Sequence, residues 1–287
     1  VGYLFYTYVV SRITSELWIY LSLFHMLIIV PVFCVGMSNR GALSLPLVMF
    51  VFLFLFYNES LNITRQYVSI SMGLVVLDSI IRRKYLKSIL FMVLATAFHT
   101  SSILMFLYYL IYYMTQKFPF HGHEARYFFY MLVVIVLASI ISTGTLDNLY
   151  FLSDRLGGYA DSNVGRVSNS TFLLYALTSY IFFRKTRYLN DTRITMFLVI
   201  SLFAMFFLMF SNYSSTFYRL ALPFAFPMVY SFPYMYMFQK TSKSKEIRIT
   251  NVQLIFYCVF FVFYWFFVIV LRGSYATYPY SSAFLGL

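Results

Sequence analysis

Residues 88–114 read SILFMVLATAFHTSSILMFLYYLIYYM, a long apolar run whose middle carries a histidine followed by three hydroxyl residues. A run of this length can cross a bilayer once as one helix, or enter it and turn back as two short arms. Every later loop lies on one side of the membrane under the first alternative and on the opposite side under the second. The interpretation of this run therefore decides the predicted fold.

Composition identifies a membrane protein. The 287 residues are 61% hydrophobic and 10% charged, and the mean hydropathy is +0.77. Such a chain cannot cover a water-facing globule with polar side chains, and its apolar stretches have the length that bilayer spans require. We predict an all-α fold, a polytopic transmembrane helix bundle that forms one integral membrane domain over residues 1–287.

Hydropathy predicts about nine spans plus a short-armed membrane hairpin at 88–114. Pro223, Pro227 and Pro233 should bend the penultimate span, because proline cannot donate a backbone hydrogen bond. The predicted apolar segments are Leu17–Met37, Ala42–Tyr57, Gln66–Ile81, Ser88–Met114, Tyr127–Ser142, Thr171–Phe183, Ile194–Phe210, Leu220–Phe238 and Val252–Leu271.

Basic residues predict the orientation, since cytoplasmic loops are rich in Lys and Arg. If 88–114 is a hairpin, the inner loops hold fifteen of the 21 Lys and Arg residues and the outer surfaces hold six. If it is one span, nine lie inside and twelve outside, which breaks the rule. We therefore predict a hairpin with Phe98–Ser102 at its turn. The basic loops assigned to the cytoplasm are Arg82–Lys87, Arg184–Arg193 and Lys240–Arg248.

The six outer basic residues are all arginines, whose planar guanidinium suits phosphate and carboxylate groups. Each could pair with an outer carboxylate such as Glu16 or Glu59, or it could bind an anionic substrate. We favour substrate binding for Arg65 and Arg219, because each lies where an outer loop meets a span. The full set is Arg12, Arg65, Arg155, Arg166, Arg219 and Arg272.

The longest outer loop covers residues 143–170, and loops of this length are often functional. The alternative is a solvated connector. Acidic residues, arginines and a tyrosine together suit a sugar with an anionic head group, so we expect this loop to contact substrate. Its candidate binding residues are Asp154, Arg155, Tyr159, Asp161 and Arg166.

Motifs for cofactors and metals are absent from the sequence, which has no nucleotide-binding glycine loop, zinc-binding pair or nucleophile elbow. His121 and His123 are expected to be surface residues, and His25 is expected to be a satisfied core residue in its span. Cys34 and Cys258 lie in apolar segments and provide no disulfide framework. We predict no cofactor, no metal and no nucleic-acid partner.

Three stretches together resemble a known family. Residues 61–110, LNITRQYVSISMGLVVLDSIIRRKYLKSILFMVLATAFHTSSILMFLYYL, resemble the EpsG-like, Wzy-type bacterial polysaccharide polymerases. In that family an Arg-Gln pair opens a span, a short basic loop follows, and then comes a Phe-His element with hydroxyl neighbours. The matching positions are Arg65 with Gln66, the Arg82–Lys87 loop, and Phe98 with His99.

The other two stretches lie downstream. YRLALPFAFPMVY is similar to the Arg-led span of the family and supplies Arg219, and YATYPYSS is similar to its Pro-Tyr end and supplies Tyr280. The opening VGYLFYTYVVSRIT is similar to a segment well inside family chains. With no initiator methionine at Val1, we expect one or two further N-terminal spans to precede it.

The resemblance implies a multi-pass protein of the bacterial inner or plasma membrane with an extracytoplasmic active face. Such polymerases join oligosaccharide repeat units carried on polyprenyl pyrophosphate, and their products are O-antigen, lipopolysaccharide, capsule or exopolysaccharide. The expected partners are the lipid-linked oligosaccharide, the bilayer, and a chain-length regulator and flippase of the same pathway.

The chemistry of that reaction suggests roles for the candidate residues. We expect Arg65 and Arg219 to stabilise the pyrophosphate leaving group, and His99 to act as the base or as a substrate-orienting donor. Expected contacts to substrate come from Gln66, Asp154, Arg155, Tyr159, Asp161, Arg166, Arg272 and Tyr280.

Other readings of the same residues stay open. The chain could be a flippase of lipid-linked oligosaccharides, although few charges lie inside its spans. It could instead be an acyltransferase that modifies surface glycans, with His99 as its base. His99 could also do no more than hydrogen-bond the turn, with Ser101 and Ser102 capping the second arm.

Overall fold

The computed structural model describes residues 2–117, 191–209, 211, 215–241 and 251–271. These residues form helices and short connections and contain no strand, which confirms the predicted all-α class. The predicted spans Tyr127–Ser142 and Thr171–Phe183 and the loop 143–170 lie outside the described residues.

The helices are numbered in chain order through the described residues. The bounds are α1 Gly2–Ile13, α2 Leu17–Ser38, α3 Leu45–Phe52, a π-helical segment Leu53–Tyr57, α4 Asn58–Asn62, α5 Thr64–Ile81, α6 Tyr85–Phe98, a 3₁₀ helix Thr100–Phe106, α7 Leu107–Lys117, α8 Thr192–Met209, α9 Ser215–Ala225, α10 Met228–Thr241, α11 Asn251–Trp265 and a π-helical segment Phe266–Leu271.

Three helical stretches among the described residues are long and apolar enough to cross a membrane. They are Leu17–Ser38, Leu45–Asn62 and Asn251–Leu271. The apolar helices Tyr85–Phe98 and Thr192–Leu208 are shorter. This composition and length fit a membrane protein, as predicted. The total of about nine spans stays a prediction.

The chain divides into two compact units. The first consists of Val1–Leu104 and Met228–Leu287, and the second of Met105–Pro227. In the first unit α5 is the central helix, because all its residues from Gln66 to Ile80 are buried. It packs against α2 and α6, while α3 packs against α2 and α10.

A glycine allows α2 to approach the start of α3. A Cβ atom placed on Gly36 would lie 2.7 Å from Cδ1 of Leu45, closer than carbon atoms pack. Nearer the start of α2, the buried Nδ1 atom of His25 has no hydrogen-bond partner among the described residues. Its ring centroid lies 6.2 Å from that of Tyr57, so it faces an aromatic ring. The prediction that His25 is satisfied is therefore wrong.

A buried polar cluster joins the ends of three helices in the first unit. The carboxylate of Asp78 accepts hydrogen bonds from Arg82 Nε at 3.0 Å and from Asn39 Nδ2 at 2.8 Å. Arg82 also donates to the main-chain carbonyl of Ser38, the last residue of α2. From α10, the Tyr230 hydroxyl donates to Asn39 Oδ1 at 3.3 Å. The only buried aspartate described in α5 is thus balanced by an arginine and an amide.

The 88–114 run is interrupted, as predicted. Helix α6 ends at Phe98, and His99 has extended backbone angles of φ −149° and ψ 119°. A 3₁₀ helix begins at Thr100 and is followed by α7. One uninterrupted membrane helix through this run is excluded. The predicted reversal of the chain after the break stays a prediction.

Proline interrupts the penultimate span in the expected way. Helix α9 ends at Ala225 and α10 begins at Met228, with a turn at Phe226 and Pro227 between them. Pro227 has no N–H to donate to the carbonyl of Pro223, four residues earlier. In the second unit, the buried hydroxyl of Tyr108 donates to that carbonyl instead. Phe224 stacks against Phe203 beside this contact, at a ring-centroid distance of 5.5 Å.

Candidate functional site

Two hydrogen bonds define how α5 and α6 lie side by side. Ser88 Oγ donates to the Val76 carbonyl at 3.2 Å, and Ser69 Oγ donates to the Ala95 carbonyl at 2.6 Å. Between these contacts each helix advances by the same number of residues in opposite directions, so the helices are antiparallel. One further turn, about 6 Å along each axis, leads to Arg65 on α5 and to His99 after α6. Arg65 and His99 therefore lie level with each other.

Arg65 presents its guanidinium at the start of α5. The side chain is exposed, and its central carbon lies 4.8 Å from the centroid of the Tyr3 ring. This is cation–π geometry, which orients a guanidinium while leaving its N–H groups available. No carboxylate among the described residues forms an ion pair with Arg65. The alternative that it pairs with Glu59 does not hold.

Glu59 has a different partner. It is buried, and the fully buried Tyr67 hydroxyl donates to its Oε2 atom at 2.8 Å. Glu59 precedes the break at Ile63, and Tyr67 follows it, so this hydrogen bond ties α4 to α5 around Arg65. Gln66, the predicted substrate contact, is also buried. Its side chain is therefore enclosed by its neighbours and does not face solvent.

The segment that contains His99 is attached to α5 through hydroxyl groups. The Ser102 hydroxyl forms a short hydrogen bond with the Ser69 hydroxyl, and both side chains are buried. The Ser102 N–H donates to the His99 carbonyl at 3.1 Å, and the His99 N–H donates to Ala95. His99 itself is partly exposed. The backbone around the imidazole is therefore held by α5 while the side chain keeps access to solvent.

Ser101 does not do what was predicted for it. Its Oγ atom is buried and makes no hydrogen bond to a described residue, so its predicted role as a helix cap is wrong. Ser102 uses its hydroxyl for Ser69 on α5. For Ser102, this tertiary contact with a neighbouring helix has taken the place of a local cap.

Helix α1 brings a group of aromatic residues to the same end of α5. A Cβ atom on Gly2 would lie 3.0 Å from the Ala97 carbonyl, so α1 begins directly against the end of α6. Phe24 of α2 is buried and contacts Tyr3, Tyr6 and Tyr20 at ring-centroid distances of 5.8, 4.8 and 5.9 Å. These residues were not predicted to be functional.

A hydroxyl pair lies within this aromatic group. Thr7 Oγ1 and the Tyr20 hydroxyl are 3.1 Å apart. Tyr3 and Thr7 are four residues apart and so share one face of α1. That spacing is visible in the sequence. Their proximity to Tyr20 and Arg65 is not, because it depends on how α1, α2 and α5 pack.

Arg219, the other predicted catalytic arginine, belongs to the second unit. It is exposed on α9, one turn before Pro223. Its role beside Arg65 stays a prediction. The remaining predicted binding residues lie outside the described residues; they are Asp154, Arg155, Tyr159, Asp161, Arg166, Arg272 and Tyr280.

The described end of α5 thus combines three chemical capacities. Arg65 is an exposed cation without a carboxylate partner among the described residues, which suits an anionic group. His99 lies level with it and carries an imidazole that can accept a proton. The tyrosine hydroxyls and Thr7 can donate and accept hydrogen bonds. The described residues contain no group of His, Cys, Asp and Glu that could hold a metal.

Comparison with known proteins supplies the family. The model of the EpsG family matches residues 1–282. No curated protein and no solved structure is significantly similar to the chain. The match includes Arg65, Gln66, His99 and Arg219 and confirms the resemblance drawn from residues 61–110. The chain belongs to the EpsG family.

Proposed function

We propose that this protein is a polysaccharide polymerase that joins oligosaccharide repeat units carried on polyprenyl pyrophosphate, at the outer face of the bacterial membrane. Membership of the EpsG family supports a polymerase-type function. The observation that carries the proposal is the level placement of Arg65 and His99, with Arg65 exposed on the Tyr3 ring.

The proposed reaction is a glycosyl transfer. The hydroxyl oxygen of the acceptor sugar bonds to the anomeric carbon of the donor sugar, while the bond from that carbon to the pyrophosphate oxygen breaks. The hydroxyl proton passes to the imidazole of His99. Polyprenyl pyrophosphate leaves with the electron pair, and Arg65 stabilises its negative charge through charge-assisted hydrogen bonds.

The rest of the proposal assigns binding roles. Arg219 assists Arg65 at the pyrophosphate. Residues of the 143–170 loop, with Arg272 and Tyr280, hold the glycan. The apolar exposed faces of the helices accept the polyprenyl tail, since lipid chains pack against such surfaces.

Reconstitution tests this function. Purified protein in liposomes is supplied with the lipid-linked repeat unit that accumulates in a strain lacking it, without nucleotide sugar or acyl donor. A ladder of longer glycans supports the polymerase. Movement of the substrate between leaflets without a ladder would identify a flippase instead. Modification that requires an added acyl donor would identify an acyltransferase.

A further inference from the structure

The aromatic group around Phe24 places three tyrosine rings against one buried side chain. Tyr3, Tyr6 and Tyr20 each place a ring against the buried Phe24. Their side chains and Thr7 are nevertheless only half-buried, so the group is open on one side. Rings held by a buried neighbour are already ordered before a ligand binds. Binding therefore costs them little further conformational entropy.

The hydroxyl groups of this surface are suited to sugars. Thr7 and Tyr20 hydrogen-bond each other at 3.1 Å, and each hydroxyl has one donor and two acceptor positions. Both keep acceptor capacity after this bond, and the Tyr3 hydroxyl also hydrogen-bonds both of them, so the three hydroxyls form one network. A sugar ring likewise alternates hydroxyl groups with apolar C–H faces, so a tyrosine surface with paired hydroxyls complements it in both respects.

The position of this surface indicates which part of the substrate it would contact. Tyr3 contacts Phe24, and the Arg65 guanidinium lies over the Tyr3 ring at 4.8 Å from its centroid. A group bound by Arg65 therefore has the tyrosine surface as its immediate neighbour. In a lipid-linked glycan the pyrophosphate has the polyprenyl chain on one side and a sugar on the other, and only the sugar offers hydroxyl groups to Thr7 and Tyr20.

We infer that Tyr3, Thr7 and Tyr20 form a carbohydrate subsite beside Arg65, which binds the sugar attached directly to the pyrophosphate. This inference rests on the proposed function. It adds a glycan contact from α1 and α2 to those expected from the 143–170 loop. Discrimination between repeat units would then depend partly on hydroxyl contacts close to the leaving group.

The test uses the double variant Thr7→Val, Tyr20→Phe. Both changes keep the side-chain shape and remove the hydroxyl. Both partners of the hydrogen bond become apolar together, and Tyr3, which also hydrogen-bonds them, is only half-buried and can bind water instead, so the fold should be retained. Tyr8→Phe on the same helix is the matched control. Among the described residues its hydroxyl accepts a single long hydrogen bond, from Arg12 at 3.4 Å, outside the Phe24 group.

Binding is measured on purified protein with two probes, undecaprenyl pyrophosphate and the same lipid carrying the native repeat unit. We expect wild type to bind the glycan-bearing lipid more tightly. The double variant should lose about tenfold in affinity for it, the loss expected for hydroxyl-recognising sites, and stay within about twofold for the bare lipid. Arg65→Ala should weaken binding of both probes.

Three results separate the inference from the function on which it rests. If wild type polymerises and the double variant keeps the wild-type affinity for the glycan-bearing lipid, the subsite is overturned and the proposed function stands. Equal binding of both probes by wild type also overturns it. If wild type binds neither probe and makes no polymer, the proposed function fails and the subsite fails with it.

Discussion

Ser69 donates a hydrogen bond to the main-chain carbonyl of Ala95 at 2.6 Å, and this contact sets the register of α5 against α6. One turn beyond it lie Arg65 and His99, far apart in sequence and level in the structure. The same serine also holds Ser102, so the segment on either side of His99 is attached to α5. Together with the Ser88 contact to Val76, this buried hydroxyl positions the candidate site.

Arg65→Ala should abolish long polymer while the protein remains in the membrane. Removing a preorganised donor to a developing charge lowers rates about 10²–10³-fold. Arg65→Lys should recover only part of the activity, because an ammonium cannot make the bidentate contact. Polymer length on gels and protein content of membranes are the measurements.

Arg12→Ala is the matched control for that change. Arg12 is also exposed over a tyrosine ring, at 5.2 Å from Tyr8, but it lies outside the described α5–α6 site. The polymer made by Arg12→Ala should have the same chain lengths as that made by wild type. Normal polymer in Arg65→Ala would remove Arg65 from the reaction.

His99→Gln should lower the polymerisation rate about 10²–10⁴-fold if His99 is the general base. Glutamine keeps hydrogen-bonding capacity but accepts no proton at neutral pH. Initial rates in liposomes are the measurement.

Ser69→Ala separates positioning from proton transfer. It removes the hydroxyl that attaches the His99 segment to α5 but keeps the imidazole, so the rate should fall by less than in His99→Gln. If His99→Gln retains the wild-type rate, the imidazole only stabilises the segment around it.

Asp78→Asn should destabilise the first unit by about 1–3 kcal/mol. The change removes the charge that balances Arg82, whose side chain is 30% exposed, whereas the Asp78 side chain is 6% exposed. The thermal unfolding midpoint of detergent-solubilised protein should fall. Asp191→Asn is the control, because its partner Arg193 is 42% exposed and exposed pairs contribute little. Equal shifts in both variants would contradict this prediction.

Tyr108→Phe should also lower stability, by about 1–3 kcal/mol, because the buried Pro223 carbonyl would lose its donor. No backbone N–H can replace it, since residue 227 is proline. Tyr113→Phe on the same helix should change stability by less than about 0.5 kcal/mol, because Tyr113 is exposed and phenylalanine keeps the ring near Lys117. Similar unfolding midpoints for the two variants would show that the Tyr108 hydroxyl adds nothing.

Local composition predicted the described helices well. Span limits such as Leu17–Met37 and Val252–Leu271 agree with Leu17–Ser38 and Asn251–Leu271 to within one residue. The interruption at His99 was also predicted, and a helix ends beside Pro227, in the span where a bend was predicted. Hydropathy and missing backbone donors act within a few residues, and a sequence displays such effects directly.

Side-chain partners were predicted less well. Glu59 was a possible partner for an arginine and instead accepts from Tyr67, and Ser101 does not cap a helix. A carboxylate or hydroxyl can choose among many partners in a packed bundle. The choice depends on which helices are neighbours, and the spacing of residues in one segment does not contain that information.

The sequence by itself determined that this is an all-α membrane protein of the EpsG family with a broken helix at His99. Charge counting predicted that His99 and Arg65 share one end of the bundle. Only the tertiary structure decided that they are level, and that Tyr3 and the Thr7–Tyr20 pair lie beside Arg65. Hydrophobicity is summed residue by residue along the chain, whereas the register between helices follows from the interlocking of side chains that only packing brings together.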